Sequence, residues 1–277
     1  ILKSFQYLKN KVKYILICNK NVLLKKCKIR INEIYDPISF KEYKKNELNV
    51  FNVNDVSNKK YLNILNQINI VNNLANLTKY DLITLPINKA LFKKNLDFTG
   101  MTEYLGKINE KTTIMMMHGD KFSVIPFTTH INIKLIHKYI KSEKINSFLN
   151  DLFTNLNNSN YGLNFNEIKF LCYNPHCGEE GTLGNEDILL KKILEKNKKI
   201  KGIFPADSVF KNIKSKSLFI STYHDQVLIP FKIFNKKSIN FTLGLNYRRL
   251  SPAHGTAKDI RDKFIADNTS YLKCLLF

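Results

Sequence analysis

The sequence predicts an α/β fold, and three observations carry that reading. Short apolar runs alternate with lysine-rich stretches whose leucines and isoleucines recur at helical spacing. Histidines and acids gather where the apolar runs end, the place where α/β sheets carry their sites. At 277 residues and 44% hydrophobic composition, the chain can bury the core of one large domain or two ordinary ones.

The elements follow in order. Residues 13–19 (KYILICN) read as a buried strand and 19–28 (NKNVLLKKCK) as a helix. The segment 80–95 reads as strand, turn and helix, with Pro86 breaking the pattern. Residues 112–128 read as two strands joined by a turn at His118-Gly119-Asp120, with the three methionines 115–117 inside a buried strand. Residues 133–153 have the periodicity of one long amphipathic helix. A strand over 167–176 runs into NPHCGEEGTLGNED, and a helix follows over 185–197. Asn185 stands at its N-cap, with Glu186 and Asp187 favoured by the helix dipole. Strands over 217–226 and 238–245 and a helix over 256–267 complete the pattern.

The net charge of +21 admits an anionic partner, but the lysines are spread along the chain. The densest run, 189–204, keeps apolar residues at helical spacing and reads as a solvated helix face. With no zinc-finger spacing or RNA-recognition signature, no nucleic-acid partner is expected. No apolar run reaches the roughly 20 residues of a spanning helix, so no membrane role is expected. Five cysteines (Cys18, Cys27, Cys172, Cys177, Cys274) without C-x-x-C spacing argue for a reducing compartment rather than a disulfide framework.

Four of the six histidines, His130, His176, His224 and His254, stand at element ends. His118 reads as a turn residue and His137 as a helix-surface residue. No pair has the spacing of a local H-x-x-x-H site, so a metal site would be assembled from separate strand ends. The alternative is that these are hydrogen-bonded structural histidines. Gly178, Gly181 and Gly184 do not form a G-x-G-x-x-G fingerprint.

Eight motifs occur in one register: TLPINKALF, FTGMTEYL, TTH, NPHCGEEGTLGNED, FPADSVF, YHDQVLIPFK, NFTLGLNYRR and HGTAKDI with IAD downstream. Together they resemble the 4-hydroxythreonine-4-phosphate dehydrogenase family of pyridoxal phosphate biosynthesis, over residues 80–272. The resemblance implies a two-domain isocitrate/isopropylmalate dehydrogenase-like fold in a cytoplasmic homodimer. Residues 1–98 with 253–277 would form the cofactor side, and 99–252 the metal, substrate and dimer side. It further implies oxidation of 4-phosphooxy-L-threonine by NAD (or NADP), followed by decarboxylation to 3-amino-2-oxopropyl phosphate. A divalent ion of the Zn, Mg or Co class would be held by three histidines drawn from both subunits, at positions matching His130, His176 and His224. Asp207, Asp225 and Lys232 would take catalytic roles. Thr102, Lys232, Asn240 and Arg249 would bind substrate, and His254, Gly255, Thr256 and Ala257 the cofactor.

The chain departs from the family pattern in several places. Met101 stands where the family has a histidine, and a thioether cannot donate a hydrogen bond. Thr182 replaces a histidine of many relatives, and Arg261, Asp262 and Phe264 replace a small glycine-containing turn. The family's first strand and Gly/Pro-rich loop have no counterpart, YILICN fits the second strand, and the last helix is short. These departures leave two alternatives: a dehydrogenase of a phosphorylated sugar acid, and a folded but inactive remnant.

Overall fold

The computed structural model describes residues 1–8, 11–25, 29–92, 98–260, 263 and 265–277. These residues form two compact units, 1–100 with 246–277 and 101–245. The first unit carries α1 (Leu2–Leu8), β1 (Leu16–Cys18), α2 (Lys20–Leu24), β2 (Ile31–Ile34), β3 (Leu48–Asn52), α3 (Lys60–Thr78) and β4 (Leu82–Ile83). The second carries α4 (Met101–Ile108), β5 (Ile114–Gly119), β6 (Phe122–Thr128), α5 (Ser142–Leu156), β7 (Glu167–Leu171), α6 (Glu186–Leu194), β8 (Ile200–Phe204), β9 (Ser217–Tyr223), α7 (His224–Phe234) and β10 (Ser238–Leu243). The chain then returns to the first unit with β11 (Arg249–Pro252) and α8 (Thr269–Leu275).

In the first unit β3 lies between β1 and β2, parallel to both. Phe5, Leu48 and Val50 are buried there, with Tyr14, Leu16, Leu23 and Ile31 packed against them. β4 and β11 pair in parallel, with Leu82 opposite Arg249. The sequence pattern did not point to α3, whose apolar residues are spread around its circumference. Only Ile68, Asn72 and Ala75 of this helix are buried, and Asn72 accepts a 2.7 Å hydrogen bond from the Tyr247 hydroxyl.

In the second unit six strands lie in the order β10-β5-β6-β9-β7-β8. β5 is antiparallel to both its neighbours, β10 and β6, and β6, β9, β7 and β8 run parallel. Met116 and Met117 are buried in β5, as the methionine run suggests, whereas His118 belongs to β5 and not to the turn. Its Nδ1 lies 2.8 Å from Ser123 Oγ across the hairpin. Asn235 holds that hairpin from below: its Oδ1 accepts from the Lys121 amide at 2.9 Å, and a Cβ on Gly119 would collide with it. Phe122 is 2% exposed and meets the rings of Phe210, Phe219, Phe231 and Phe234 at centroid separations of 5.6, 5.3, 5.7 and 6.3 Å. This cluster seats α7 on β6 and β9.

Three expected helices differ. The segment 133–153 is a 3₁₀ helix over Ile133–Tyr139, an extended link at Lys141 (φ −133°, ψ 145°), and then α5. Ile136 and Ile140 are both buried, and an unbroken α-helix would turn them apart from the α5 stripe of Ile145, Leu149 and Leu152. After Pro86 the described helix is one 3₁₀ turn, Lys89–Leu91. The expected helix over 256–267 is a single 3₁₀ turn at Lys258–Ile260, and Arg261, Asp262 and Phe264 lie outside the described residues. Cys27 also lies outside them, while Cys172, Cys177 and Cys274 are free thiols. Among the described residues no helix is long and apolar enough to cross a membrane.

Glu167, at the start of β7, is 4% exposed, and both of its carboxylate oxygens are partnered. Ser217 Oγ donates to Oε1 at 2.7 Å, and Lys169 and Lys201 approach at 3.0 and 3.2 Å. Burial alone would raise this carboxyl, but the serine and the two lysines outweigh it and bring it down to about 2. A carboxylate depressed on folding contributes stability above its ordinary pKa, and that contribution fades as pH falls toward the folded value. Glu167→Gln is therefore expected to cost about 2 kcal/mol at neutral pH. Chemical unfolding at a series of pH values should show the gap between the two proteins closing below pH ~4. A gap that does not change with pH would mean that packing, not charge, is what the substitution removes.

Candidate metal and substrate site

The register of the parallel strands sets the site. Thr128, the last residue of β6, lies opposite Tyr223, the last residue of β9. His130 follows two residues after β6, and His224 directly follows β9. β7, on the other side of β9 and parallel to it, ends at Leu171 and runs into the turn bearing His176. Asp207 follows the end of β8. Parallel strands put their C-terminal ends on one sheet edge, so these four residues leave the same edge. Two hydrogen bonds lock this corner. Thr128 Oγ1 donates to the Thr222 carbonyl at 2.6 Å, and Gln226 Nε2 donates to the Cys172 carbonyl at 2.7 Å. The amide of Thr222 in turn donates to Gln226 Oε1 at 3.1 Å. Sequence reading did not single out Gln226; its presence in the YHDQ motif was the only signal.

His130 and His224 face each other, with ring centroids 6.0 Å apart and planes tilted by 38°. Each has Nδ1 on a carboxylate: His130 on Glu103 Oε1 at 3.2 Å, and His224 on Asp225 Oδ1 at 2.7 Å. A neutral imidazole beside a carboxylate carries its proton on the facing nitrogen, which leaves Nε2 as a lone-pair donor. The side chains of His130 and His224 are 42% and 33% exposed, so both are reachable. The donor chemistry thus fits a divalent cation.

His176 leaves the same sheet edge from the end of β7. It sits exposed in the turn after β7, and the ring that meets His224 is that of His130. Among the described residues no group of three or more His, Cys, Asp and Glu side chains is arranged to hold a metal ion. The turn itself is strongly bent. His176, Cys177, Gly178, Glu179 and Glu180 hold φ of 50°, 57°, 78°, 43° and 56°, each non-glycine costing roughly 1–2 kcal/mol. The buried carboxylate of Asp187 compensates, taking the amides of Tyr173 and Asn174 at 2.6 and 2.8 Å. Asn185 occupies the N-cap of α6 as expected, yet its side chain makes no cap hydrogen bond.

Asp207 and Asp225 meet in one cleft of about 560 Å³, lined also by Lys211, Tyr223 and Gln226 and by an apolar wall that includes Phe210 and Ile229. Lys232 is exposed in the last turn of α7. Asn240, opposite Met117 in β10, has a buried Oδ1 without a hydrogen-bond partner. A buried acceptor left unmade costs about 1–3 kcal/mol, which a ligand donor would recover. Thr102 is buried in the first turn of α4, with its hydroxyl 3.1 Å from that of Thr242. Met101, beside it, is half-buried.

In the first unit Arg249 is 3% exposed and donates through Nε and Nη2 to Thr84 Oγ1 at 3.0 and 2.5 Å. The loop His254, Gly255, Thr256 and Ala257 is exposed, with His254 Nδ1 2.9 Å from the Gly255 carbonyl oxygen and Ala257 at φ 45°.

Residues 10–277 match the family described as pyridoxal phosphate biosynthetic protein PdxA, and the chain belongs to that family. It is 38% identical over 213 residues to the 4-hydroxythreonine-4-phosphate dehydrogenase of Aquifex aeolicus, covering 71% of this chain and 63% of the relative. It is also 38% identical over 196 residues to the enzyme of that name from Hydrogenobaculum, covering 69% and 62%. The matched region thus spans less than two thirds of the length of these relatives. The crystal structure of the 4-hydroxythreonine-4-phosphate dehydrogenase from Klebsiella pneumoniae superimposes with a TM-score of 0.77 at 23% identity, covering 94% of this chain and 87% of that one. The fold is of the isocitrate/isopropylmalate dehydrogenase-like type.

Proposed function

We propose that this protein oxidises 4-phosphooxy-L-threonine with NAD or NADP and releases carbon dioxide to leave 3-amino-2-oxopropyl phosphate. The observation that carries the reading is the pair His130 and His224, brought ring to ring at 6.0 Å with each Nδ1 on a carboxylate. Membership of the family and the names of the relatives supply the substrate. His130 and His224 would hold a divalent cation through Nε2, and His176, leaving the same sheet edge, supports a third ligand supplied by a second copy in a homodimer. A cation bound there provides Lewis acidity toward the substrate hydroxyl. Asp207 and Asp225, which line the same cleft, would take and return the proton. Asn240 Oδ1 would accept from the substrate's ammonium, and Lys232 offers its charge to the phosphate. The exposed loop His254–Ala257 is the proposed cofactor contact. For Thr102, buried in the first turn of α4, the proposed contribution is to shape the wall behind the substrate.

The test is reduction of NAD by the purified chain on 4-phosphooxy-L-threonine, with and without divalent metal, compared with a phosphorylated sugar acid. Metal-dependent turnover of the threonine derivative supports the reading. Turnover of the sugar acid alone would move the substrate assignment, and no turnover of either would leave the inactive remnant. In the active protein Lys232→Ala is expected to raise KM about 10- to 100-fold, the loss of one hydrogen bond to a charged group. An unchanged KM would remove Lys232 from the phosphate site.

A further inference from the structure

We propose that Glu103 is a positioning residue for His130. It is the third residue of α4 and belongs to a different element from the strand end that carries His130. Its Oε1 nevertheless lies 3.2 Å from His130 Nδ1, and the pair sits 6.0 Å, ring to ring, from the matched pair of His224 and Asp225.

The two carboxylates do the same chemical work from opposite sides. An imidazole that follows a strand end can rotate, and alone in water it carries its proton mostly on Nε2, the nitrogen needed as a lone-pair donor. A carboxylate at Nδ1 reverses that preference and fixes the ring plane. Asp225 can do this for His224 because it is the next residue. His130 has no acid beside it in the sequence, the neighbours being Thr129 and Ile131. Its carboxylate must come across space, and the first turn of α4 delivers it. The same turn carries Met101, so a change in how α4 sits there acts on His130 through Glu103.

This inference rests on reading His130 and His224 as cation ligands, and the experiment separates the two. Histidine is labelled with ¹⁵N in the full chain, and the ring signal of His130 is assigned by its disappearance in His130→Asn. In the metal-free protein the neutral ring of His130 should carry its proton on Nδ1, and in Glu103→Ala the proton should move to Nε2. Glu103→Gln, whose amide oxygen still accepts, should keep the wild-type tautomer in part. Cobalt(II) titration followed by visible absorbance then gives the second readout, with affinity expected to fall about 10- to 100-fold in Glu103→Ala and less in Glu103→Gln. A His130 tautomer identical in wild type and Glu103→Ala overturns the proposal. A wild-type protein that binds no cobalt overturns the cation reading, and the tautomer comparison still decides what Glu103 does.

Discussion

His224→Ala is expected to lower metal-dependent turnover by about three orders of magnitude, and to remove tight divalent-cation binding. Its ring meets that of His130, with centroids 6.0 Å apart. A Lewis acid contributes several kcal/mol to stabilising developing charge, and each 1.36 kcal/mol is a factor of ten in rate. The substitution should leave the fold intact, because His224 is only half-buried at the first position of α7. Asp225→Asn is the graded companion. It keeps an oxygen near Nδ1 but loses the charge, and a fall of about 10- to 100-fold is expected. Reduced-nicotinamide absorbance gives kcat and KM, and calorimetry with a divalent cation gives affinity. If His224→Ala retains both full turnover and cation binding, the strand-end histidines are structural.

Phe122→Ala should be the most damaging of these substitutions to the fold, at about 3–5 kcal/mol. For a chain of this size that corresponds to roughly 10 °C in Tm. The ring touches four others drawn from β9, α7 and the segment after β8. Phe219 and Phe231 are fully buried around it, so little can move in to fill the void. The loss should reach the site as well, since α7 carries His224 and Asp225 at its first turn. Denaturant unfolding measures the first effect and cation affinity the second. A cost under about 1 kcal/mol would show that the cluster relaxes around the hole.

Sequence alone established the parts whose signal is local. Alternating apolar runs marked β1, β5, β6, β7, β9 and β10, because strand burial repeats along a few consecutive residues. Leucine and isoleucine spacing marked α6 for the same reason. The motif set carried the resemblance to the family, and His130, His176 and His224 were implied by the positions they match in it. The α3 helix was not picked out because its apolar residues are spread around its circumference and mark no single buried face. The break at Lys141 showed in the sequence only as a change of phase, Ile136 and Ile140 falling opposite Ile145, Leu149 and Leu152 on a continuous helix.

Only the tertiary structure decided which of the strand-end residues meet. The parallel register of β6 on β9 sets His130 against His224, and a shift of one residue would turn one of them away. Glu103 reaches His130 across 27 positions, and Asp207 reaches the cleft of Asp225 from the end of another strand. Thr102 and Arg249 look alike in sequence to Lys232, as polar residues in a motif. Packing buries the first two against Thr242 and Thr84 and leaves the lysine at the surface. A linear chain carries residue types and their local rhythm. Distance between residues far apart in sequence is set by strand register and core packing, and the geometry of this site is made of such distances.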